Sequence, residues 1–228
     1  MSTRVSNAAA AMRKAPRQAR SRATVDVIVT AGARVLDKHG WAGFTTNEVA
    51  QVAGVSIGSV YQYFPNKLAL VDAIRRRHFD DVLAVLQRAH DRQASAGRRL
   101  EGLIGDLIAA HRDYPALHRA LLDLPDPGGA KDAYDAFQKE YLRRYALIVA
   151  ACRGRAPVKA DTLTAQVLSS AFEGVVHNAA RRGLLGNPKL KRELVRLAGT
   201  YLEDHRSATA NVRSCADRKN RNGYRNSR

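Results

Sequence analysis

Three polar side chains in the first third of the chain have the types and spacing to read a nucleic acid. Ser59, Gln62 and Tyr63 fall on one face of a predicted short helix, and Val60 and Phe64 fall on the opposite face. Hydroxyl and amide groups form hydrogen bonds with base edges, and a helix with small side chains fits the major groove of DNA. The pattern therefore predicts a DNA-reading helix whose polar face is exposed.

Two short helices joined by a tight turn must position these side chains. Thr45 and Glu48 have the spacing of a capping box, in which the threonine satisfies free amides at the start of a helix. Gly54 gives the turn its conformational freedom, and Ser56 can cap the helix that follows. The segment is thus predicted to be a helix-turn-helix with helices over about 46–52 and 57–63.

Residues matching a known pattern run continuously through residues 19–70. They are Gly40, Phe44, Thr45, Thr46, Val49, Ala50, Ala53, Gly54, Val55, Ser56, Gly58, Tyr61, Phe64, Lys67 and Leu68. In this series the chain resembles the N-terminal DNA-binding domain of the tetracycline-repressor (TetR) family of transcriptional regulators. The resemblance implies an all-α fold, in which a three-helix helix-turn-helix domain precedes a helical bundle for ligand binding and dimerisation.

The same resemblance implies which residues contact DNA. The groove-facing set is Ser56, Ile57, Gly58, Ser59, Gln62 and Tyr63. Gln62 is the best candidate for a base contact, because glutamine can pair with adenine through two hydrogen bonds, and Ile57 can meet a thymine methyl group. Asn47 is expected to reach a base or a phosphate. The expected phosphate contacts are Thr45, Thr46, Tyr61, Tyr63 and Lys67, with Arg17, Arg20 and Arg22 on phosphates or in the minor groove.

Structural alternatives exist for several of these residues. Thr45 is a helix cap before it is a phosphate ligand, and Tyr61 can be half in the core. Lys67 can be a first-turn side chain of the next helix, and the three arginines can be a solvated helix start. The predicted reading helix contains no arginine. Its contacts with DNA are therefore expected to be few and partly apolar.

Charge is concentrated at the two ends of the chain. The net charge of the 228 residues is +17, and the ends, residues 1–22 and 206–228, carry +12 of it. Basic arms on a nearly balanced body suit a polyanionic partner, although solvated tails are the simpler interpretation for the C-terminal one. The expected organisation is a disordered arm, a DNA-binding domain with its motif at 45–64, an effector and dimerisation domain, and a basic disordered tail, with bounds 1–16, 17–68, 69–204 and 205–228.

The second half of the chain is predicted to consist of amphipathic helices. Helical periodicity predicts further helices after Asn66, with a break at Gly97 and with the last two at about 161–183 and 189–204. Such a bundle can enclose a small molecule, and polar groups amid its apolar residues mark candidate effector contacts. These candidates are His111, Phe137, Tyr141, Phe172, Glu173 and His177. Each of them is also explained by a structural role.

No metal site, cofactor or catalytic residue is predicted. His90, His111 and His118 lack the close spacing of a metal motif, and phosphate-binding glycine loops and nucleophile elbows are absent from the sequence. Two cysteines are too few for a disulfide framework, and neither a signal peptide nor a membrane span is predicted, so a cytoplasmic location is expected.

The sequence therefore predicts a DNA-binding regulator and not an enzyme. We expect a repressor that leaves a palindromic, inverted-repeat operator on double-stranded DNA when a small apolar or amphipathic effector binds. Dimerisation is expected through the last two helices, where small residues would allow close packing: Ser169, Ser170, Ala171, Gly174, Ala179 and Ala180. The alternatives are a sequence-tolerant architectural DNA-binding protein and, on the weak ground of Glu173 with His177, an enzyme.

Overall fold

A computed structural model describes residues 19–122 and 130–203. Over these ranges the chain forms nine helices and no strand, which confirms the all-α prediction. Arg17, the arm over residues 1–16 and the basic tail over residues 205–228 lie outside the described residues. Within the described ranges, none of the helices combines the length and the apolar character that crossing a membrane requires.

The first three helices form the helix-turn-helix unit. They are α1 (Ala19–Gly43), α2 (Thr46–Ala53) and α3 (Ile57–Tyr63). The Thr45 hydroxyl accepts a hydrogen bond from the Glu48 amide at 3.2 Å, and the Ser56 hydroxyl accepts one from the Ser59 amide at 3.1 Å. Between the two helices Gly54 has a φ of 65°, a conformation that favours glycine. Local capping therefore places α2 and α3 within a residue of their predicted bounds.

Two glycine predictions need correction. At Gly40 the φ of 60° interrupts α1 as predicted, but one more helical turn continues to Gly43. Gly97 does not break the chain, because it lies in the first turn of a helix, and residues 92–95 form the break instead. The predicted capping box is also incomplete, since the Glu48 carboxylate contacts His39 Nε2 at 2.9 Å.

A long helix runs from the first unit into the second. This helix, α4 (Lys67–Asp91), buries Leu70 and Ile74 in the core of the helix-turn-helix unit and Val82 and Leu86 in a second core. Gly32 of α1 allows close approach, because a Cβ there would lie 2.7 Å from Ile74 Cδ1. Since one continuous helix contributes to both cores, a tilt of α4 moves the first unit relative to the second.

The second core is built by the remaining helices. They are α5 (Ala96–Ala110), α6 (Leu117–Leu122), α7 (Ala130–Cys152), α8 (Asp161–Arg181) and α9 over residues 188–203. Phe79 of α4 stacks on Phe137 of α7 with ring centroids 4.0 Å apart. The buried Asp161 carboxylate receives hydrogen bonds from Arg153, Arg155 and the Val158 amide, which fixes the α7–α8 connection.

The short helix α6 belongs to both units. Leu117 and Leu121 are 5% and 6% exposed and pack in the core of the helix-turn-helix unit. The Ala116 amide, just before α6, donates to the Asp37 carboxylate of α1 at 2.7 Å. On the same short helix, His118 faces the second bundle, where it contacts other histidines. A displacement of α6 would therefore change the packing of both cores.

Candidate nucleic-acid interface and histidine chamber

The polar face of α3 is exposed, as the sequence predicts. Ser56, Gly58 and Gln62 are exposed, Ser59 is half-buried, and Ile57 is 37% exposed. A Cβ at residue 58 would find only Ser56 Oγ nearby, at 3.7 Å, so the backbone is open to solvent here. The surface offers hydroxyls, an amide and one aliphatic group, with its helix held by a buried face of Val60 and Phe64.

A side-chain hydrogen bond joins α2 to α3 beside this face. The hydroxyls of Thr46 and Tyr61 lie 3.1 Å apart, and Tyr61 is 43% exposed. Thr45 and Asn47 are exposed at the start of α2. Arg22, in the first turns of α1, is exposed as well. Hydroxyl, amide and guanidinium groups of this kind can hold phosphate oxygens.

Two residues of the predicted interface are placed differently. Tyr63 is only 7% exposed and packs in the core, so the prediction that it faces outward is wrong. The Lys67 ammonium donates to the Trp41 carbonyl at 3.0 Å and lies 3.6 Å from the centre of the Trp41 ring. Burial lowers the pKa of Lys67. Its charge is thus engaged within the protein.

The six predicted effector contacts surround one buried chamber, which we call the histidine chamber. It has a volume of about 20 Å³, close to that of a single water molecule. Its lining is mainly apolar and comprises Val82, Leu107, His111, His118, Phe137, Tyr141, Tyr145, Phe172, Glu173, Val176 and His177. The fold brings all six candidates together from α5, α7 and α8 and adds His118 from α6.

Four histidines form a connected network at one wall of the chamber. His111 Nε2 lies 3.1 Å from His177 Nε2, and His78 Nε2 lies 2.9 Å from His118 Nδ1. The rings of His118 and His177 stack at 4.3 Å. His111 Nδ1 donates to the Leu107 carbonyl at 2.8 Å. Sequence spacing did not indicate His78, and it set His118 aside as a metal ligand, because the four residues come from four separate segments.

The environment favours uncharged groups in this network. Burial, with repulsion from neighbouring histidines, lowers the pKa of His78 and of His118 to about 4 and about 3. Burial and the neighbouring His111 lower the pKa of His177 to about 4, and burial also lowers that of His111. The imidazoles are therefore neutral at neutral pH.

The tyrosine and carboxylate side chains of the chamber are also perturbed by burial. Burial raises the pKa of Glu173, although hydrogen bonding with Tyr141 opposes this rise. Burial likewise raises the pKa of Tyr141 and of Tyr145. The buried Tyr145 hydroxyl has no hydrogen-bond partner at normal distance among the described residues, although Tyr141 is near enough to influence its pKa. An unpartnered buried hydroxyl is available to a ligand.

A larger cleft adjoins the chamber on the side of the helix-turn-helix unit. Its volume is about 380 Å³, and it lies between α1, α4 and α5, next to α6. Val82 lines both spaces, and His78 lines the cleft while contacting His118 in the chamber. These two side chains therefore lie where the cleft and the chamber adjoin.

The outer face of α8 carries exposed apolar side chains. Leu163 is 70% exposed, Val167 43% and Val175 36%. Ser170 and Gly174 lie on this exposed face, as expected for a packing surface. The expectation for Ser169 and Ala179 is wrong, because they are 1% and 4% exposed and face the chain's own core, and Ala171 and Ala180 are half-buried. On α9, Leu197 is 47% exposed.

Comparison with known proteins adds family and fold information. Residues 28–74 match the family model of bacterial regulatory proteins of the tetR family, and residues 98–202 match that of the tetracyclin repressor-like C-terminal domain. Together the two matches cover about two thirds of the chain. The HTH-type transcriptional repressor KstR of Mycolicibacterium smegmatis is 30% identical over 94 residues, which are 41% of this chain and 46% of that relative. The match thus spans less than half of the relative's length.

Solved structures share the fold at low sequence identity. A TetR-family transcriptional regulator from Streptomyces coelicolor is 24% identical, with a TM-score of 0.55 over 79% of this chain and 98% of that one. The transcriptional regulator FadR from Bacillus subtilis, solved in complex with stearoyl-CoA, is 17% identical, with a TM-score of 0.56 over 78% of this chain and 95% of that one.

Proposed function

The chain belongs to the TetR family of bacterial regulatory proteins, and we propose that it is a ligand-responsive transcriptional repressor that binds an inverted-repeat operator. The observation that carries this proposal is the exposed polar face of α3 on a helix whose other face is locked into a core. A reading helix needs this combination, because base contacts require fixed side-chain positions. In this role the protein acts by binding and not by catalysis, in the cytoplasm.

Within the proposed interface, sequence reading and DNA holding fall to different residues. Gln62 makes a bidentate contact with adenine, and Ile57 meets a thymine methyl group. The joined hydroxyls of Thr46 and Tyr61 hold backbone phosphate, with Asn47 and Arg22 beside them. Because one subunit makes few base contacts, specific binding favours a dimer, in which two copies of α3 read the two halves of a palindrome.

Footprinting on genomic fragments tests the proposal. A dimer should protect an inverted repeat with half-site centres about one helical turn, roughly 34–36 Å, apart or a small multiple of it. Gln62→Ala should relax preference at one symmetric position at a cost of about 1–3 kcal/mol per base contact. The control is Gln87→Ala. Gln87 is an exposed glutamine on the half of α4 whose buried face packs in the second core. Equal binding to all sequences by the wild-type protein would refute specific recognition and favour an architectural role.

The proposed effector site is the histidine chamber with its adjoining cleft. Its aromatic and aliphatic lining suits an apolar or amphipathic molecule, and Glu173, Tyr145 and the histidines supply polar contacts. At about 20 Å³ the closed chamber does not hold such a molecule, so binding must widen it. That the fold neighbour FadR was solved with stearoyl-CoA supports a ligand of this general character.

Widening the chamber offers a route to the DNA-binding unit. His118 lines the chamber, while Leu117 and Leu121 of the same helix, α6, pack against the core that contains α1. An effector that displaces His118 therefore shifts α6 against α1, and through Val82 it also displaces α4. A preference of about 2.7 kcal/mol for the displaced state would lower DNA affinity roughly a hundredfold.

The proposed dimer forms through α8 and α9. The exposed side chains of Leu163, Val167 and Val175 continue along α8 with the small residues Ser170 and Gly174 between them. A helix face of this composition packs closely against its symmetry mate. The twofold symmetry of the dimer then fixes the spacing and orientation of the two α3 helices, as a palindromic operator requires.

A further inference from the structure

Three histidines of the chamber have an arrangement that goes beyond an apolar effector site. His111 ends α5, His118 lies on α6 and His177 lies on α8, and one ring nitrogen of each falls within 4.8 Å of the other two. We propose that these three residues bind one divalent transition-metal ion of the kind that prefers imidazole ligands, represented by Zn²⁺.

The distances are close to those of a metal-bound set. Tetrahedral Zn²⁺ with nitrogen ligands at 2.0–2.1 Å places those nitrogens about 3.3 Å apart. His111 Nε2 and His177 Nε2 are already 3.1 Å apart, and one ring nitrogen of His118 lies within 4.8 Å of a ring nitrogen of each, so His118 has to move closer to complete the triangle. Because His111 carries its proton on Nδ1, the hydrogen bond between these two nitrogens is donated by His177 Nε2. Metal binding replaces it, and His177 then carries its own proton on Nδ1.

Outer hydrogen bonds orient two of the three ligands. The Leu107 carbonyl accepts from His111 Nδ1 at 2.8 Å, which leaves the lone pair of His111 on Nε2, the nitrogen that faces His177. His118 Nδ1 contacts His78 Nε2 at 2.9 Å, so the tautomer that donates to His78 has its free lone pair on Nε2. Metal-binding histidines characteristically have such partners on their second nitrogen.

The donor set selects the class of ion. Three neutral imidazoles suit Zn²⁺ and its neighbours in the first transition row, whereas Mg²⁺ and Ca²⁺ require oxygen ligands. Three protein ligands leave the fourth position of a tetrahedral ion open. Because His111, His118 and His177 all line the chamber, the open position is available to water or to a donor atom of a bound molecule.

A bound ion would hold α5, α6 and α8 together at one point. Since α6 also packs in the core of the helix-turn-helix unit, the ion would restrain the displacement of α6. This regulatory consequence rests on the proposed function, but metal binding itself does not.

The test is a Co²⁺ titration of the full-length protein, prepared without a histidine tag and stripped with a chelator. One equivalent of Co²⁺ per chain should give the strong visible absorption of a four-coordinate site, and Zn²⁺ should abolish this absorption by displacement. Calorimetry should likewise find one Zn²⁺ per chain. Absence of the absorption from the wild-type protein would overturn the proposal.

Matched variants assign the ligands. His118→Gln and His177→Gln should each abolish the absorption, and His78→Gln should weaken affinity about 10–100-fold because it removes the partner that orients His118. His39→Gln, an exposed histidine of α1, should bind as the wild type does. Absorption retained in both ligand variants would overturn the assignment.

Two further readouts keep the result decisive. If a ligand variant does not fold, X-ray absorption of the Zn²⁺-loaded wild type decides, since an imidazole-rich shell supports the site and an oxygen-only shell refutes it. Footprinting without metal is carried out in parallel. If the protein binds Co²⁺ but protects no DNA, the proposed function is contradicted and the metal site is supported. If it protects DNA but does not bind Co²⁺, the metal site is refuted and the proposed function is supported.

Discussion

Replacing Lys67 with methionine should lower the free energy of unfolding and leave the salt dependence of DNA binding unchanged. The Lys67 ammonium donates to the Trp41 carbonyl at 3.0 Å and lies 3.6 Å from the centre of the Trp41 ring. Methionine keeps the apolar stem and removes both interactions. A hydrogen bond from a charged group contributes about 1.5–3 kcal/mol, and a cation–π contact about 0.5–2 kcal/mol. Because the side chain is half-buried, we expect a total loss of about 1–3 kcal/mol.

Urea unfolding followed by fluorescence measures this loss, since Trp41 is the only tryptophan and reports directly on the site. Lys38→Met, an exposed lysine of α1, is the control for removal of one charge. In the same proteins, DNA affinity is measured against salt concentration. A phosphate contact by Lys67 would contribute about 0.9 to the slope in each subunit, or about 1.8 in the proposed dimer. If Lys67→Met lowered the slope by that amount and left the unfolding free energy unchanged, Lys67 would be a phosphate ligand and our reasoning would be refuted.

Three further predictions concern the second core. Asp161→Asn should cost about 3–5 kcal/mol because it leaves the buried Arg153 without its counter-ion. Burial opposes ionisation of Asp161, but hydrogen bonds from Arg155 and the Val158 amide lower its pKa below 3.8. The carboxylate should therefore stabilise the fold fully above about pH 4 and progressively less at lower pH. Thermal melts should show this pH dependence in the wild type and not in Asp161→Asn. Leu163→Arg should convert dimers to monomers in sedimentation while Thr162→Arg does not, and dimers in both would place the interface elsewhere. Phe172→Trp should keep DNA binding but lose the rise in melting temperature that we expect an amphipathic effector to give the wild type, and a rise retained in the variant would move the effector site away from the chamber.

Local signals in the sequence predicted the helix-turn-helix closely. Thr45, Ser56 and Asn66 each cap a helix through a hydrogen bond within three residues, so their effect does not depend on the rest of the fold. The burial of Tyr63 could not be predicted from such local signals. In a helix of seven residues the periodicity does not decide which flanking positions are buried, and this ring is buried in the core of the helix-turn-helix unit.

The chamber shows the opposite limit of sequence reasoning. Periodicity and polar residues amid apolar ones were enough to select Phe137, Tyr141, Phe172 and Glu173, because each of these lies on the inner face of its own helix. The histidine network was not predictable, since it requires His78 and the α5–α6 segment to meet α8 across the bundle. Residues from separate helices become neighbours only through tertiary packing, which sequence spacing does not encode.

The open backbone at Gly58 has a consequence for engineering. An alanine there would meet no atom closer than 3.7 Å, and in a helix it would add about 0.5–1 kcal/mol of stability over glycine. The fold therefore gives no reason for glycine at this position, and the chain is less stable than it could be where α3 is most exposed. A Cβ atom at residue 58 has room in the fold, which makes this position a natural starting point for variants with new DNA sequence preferences.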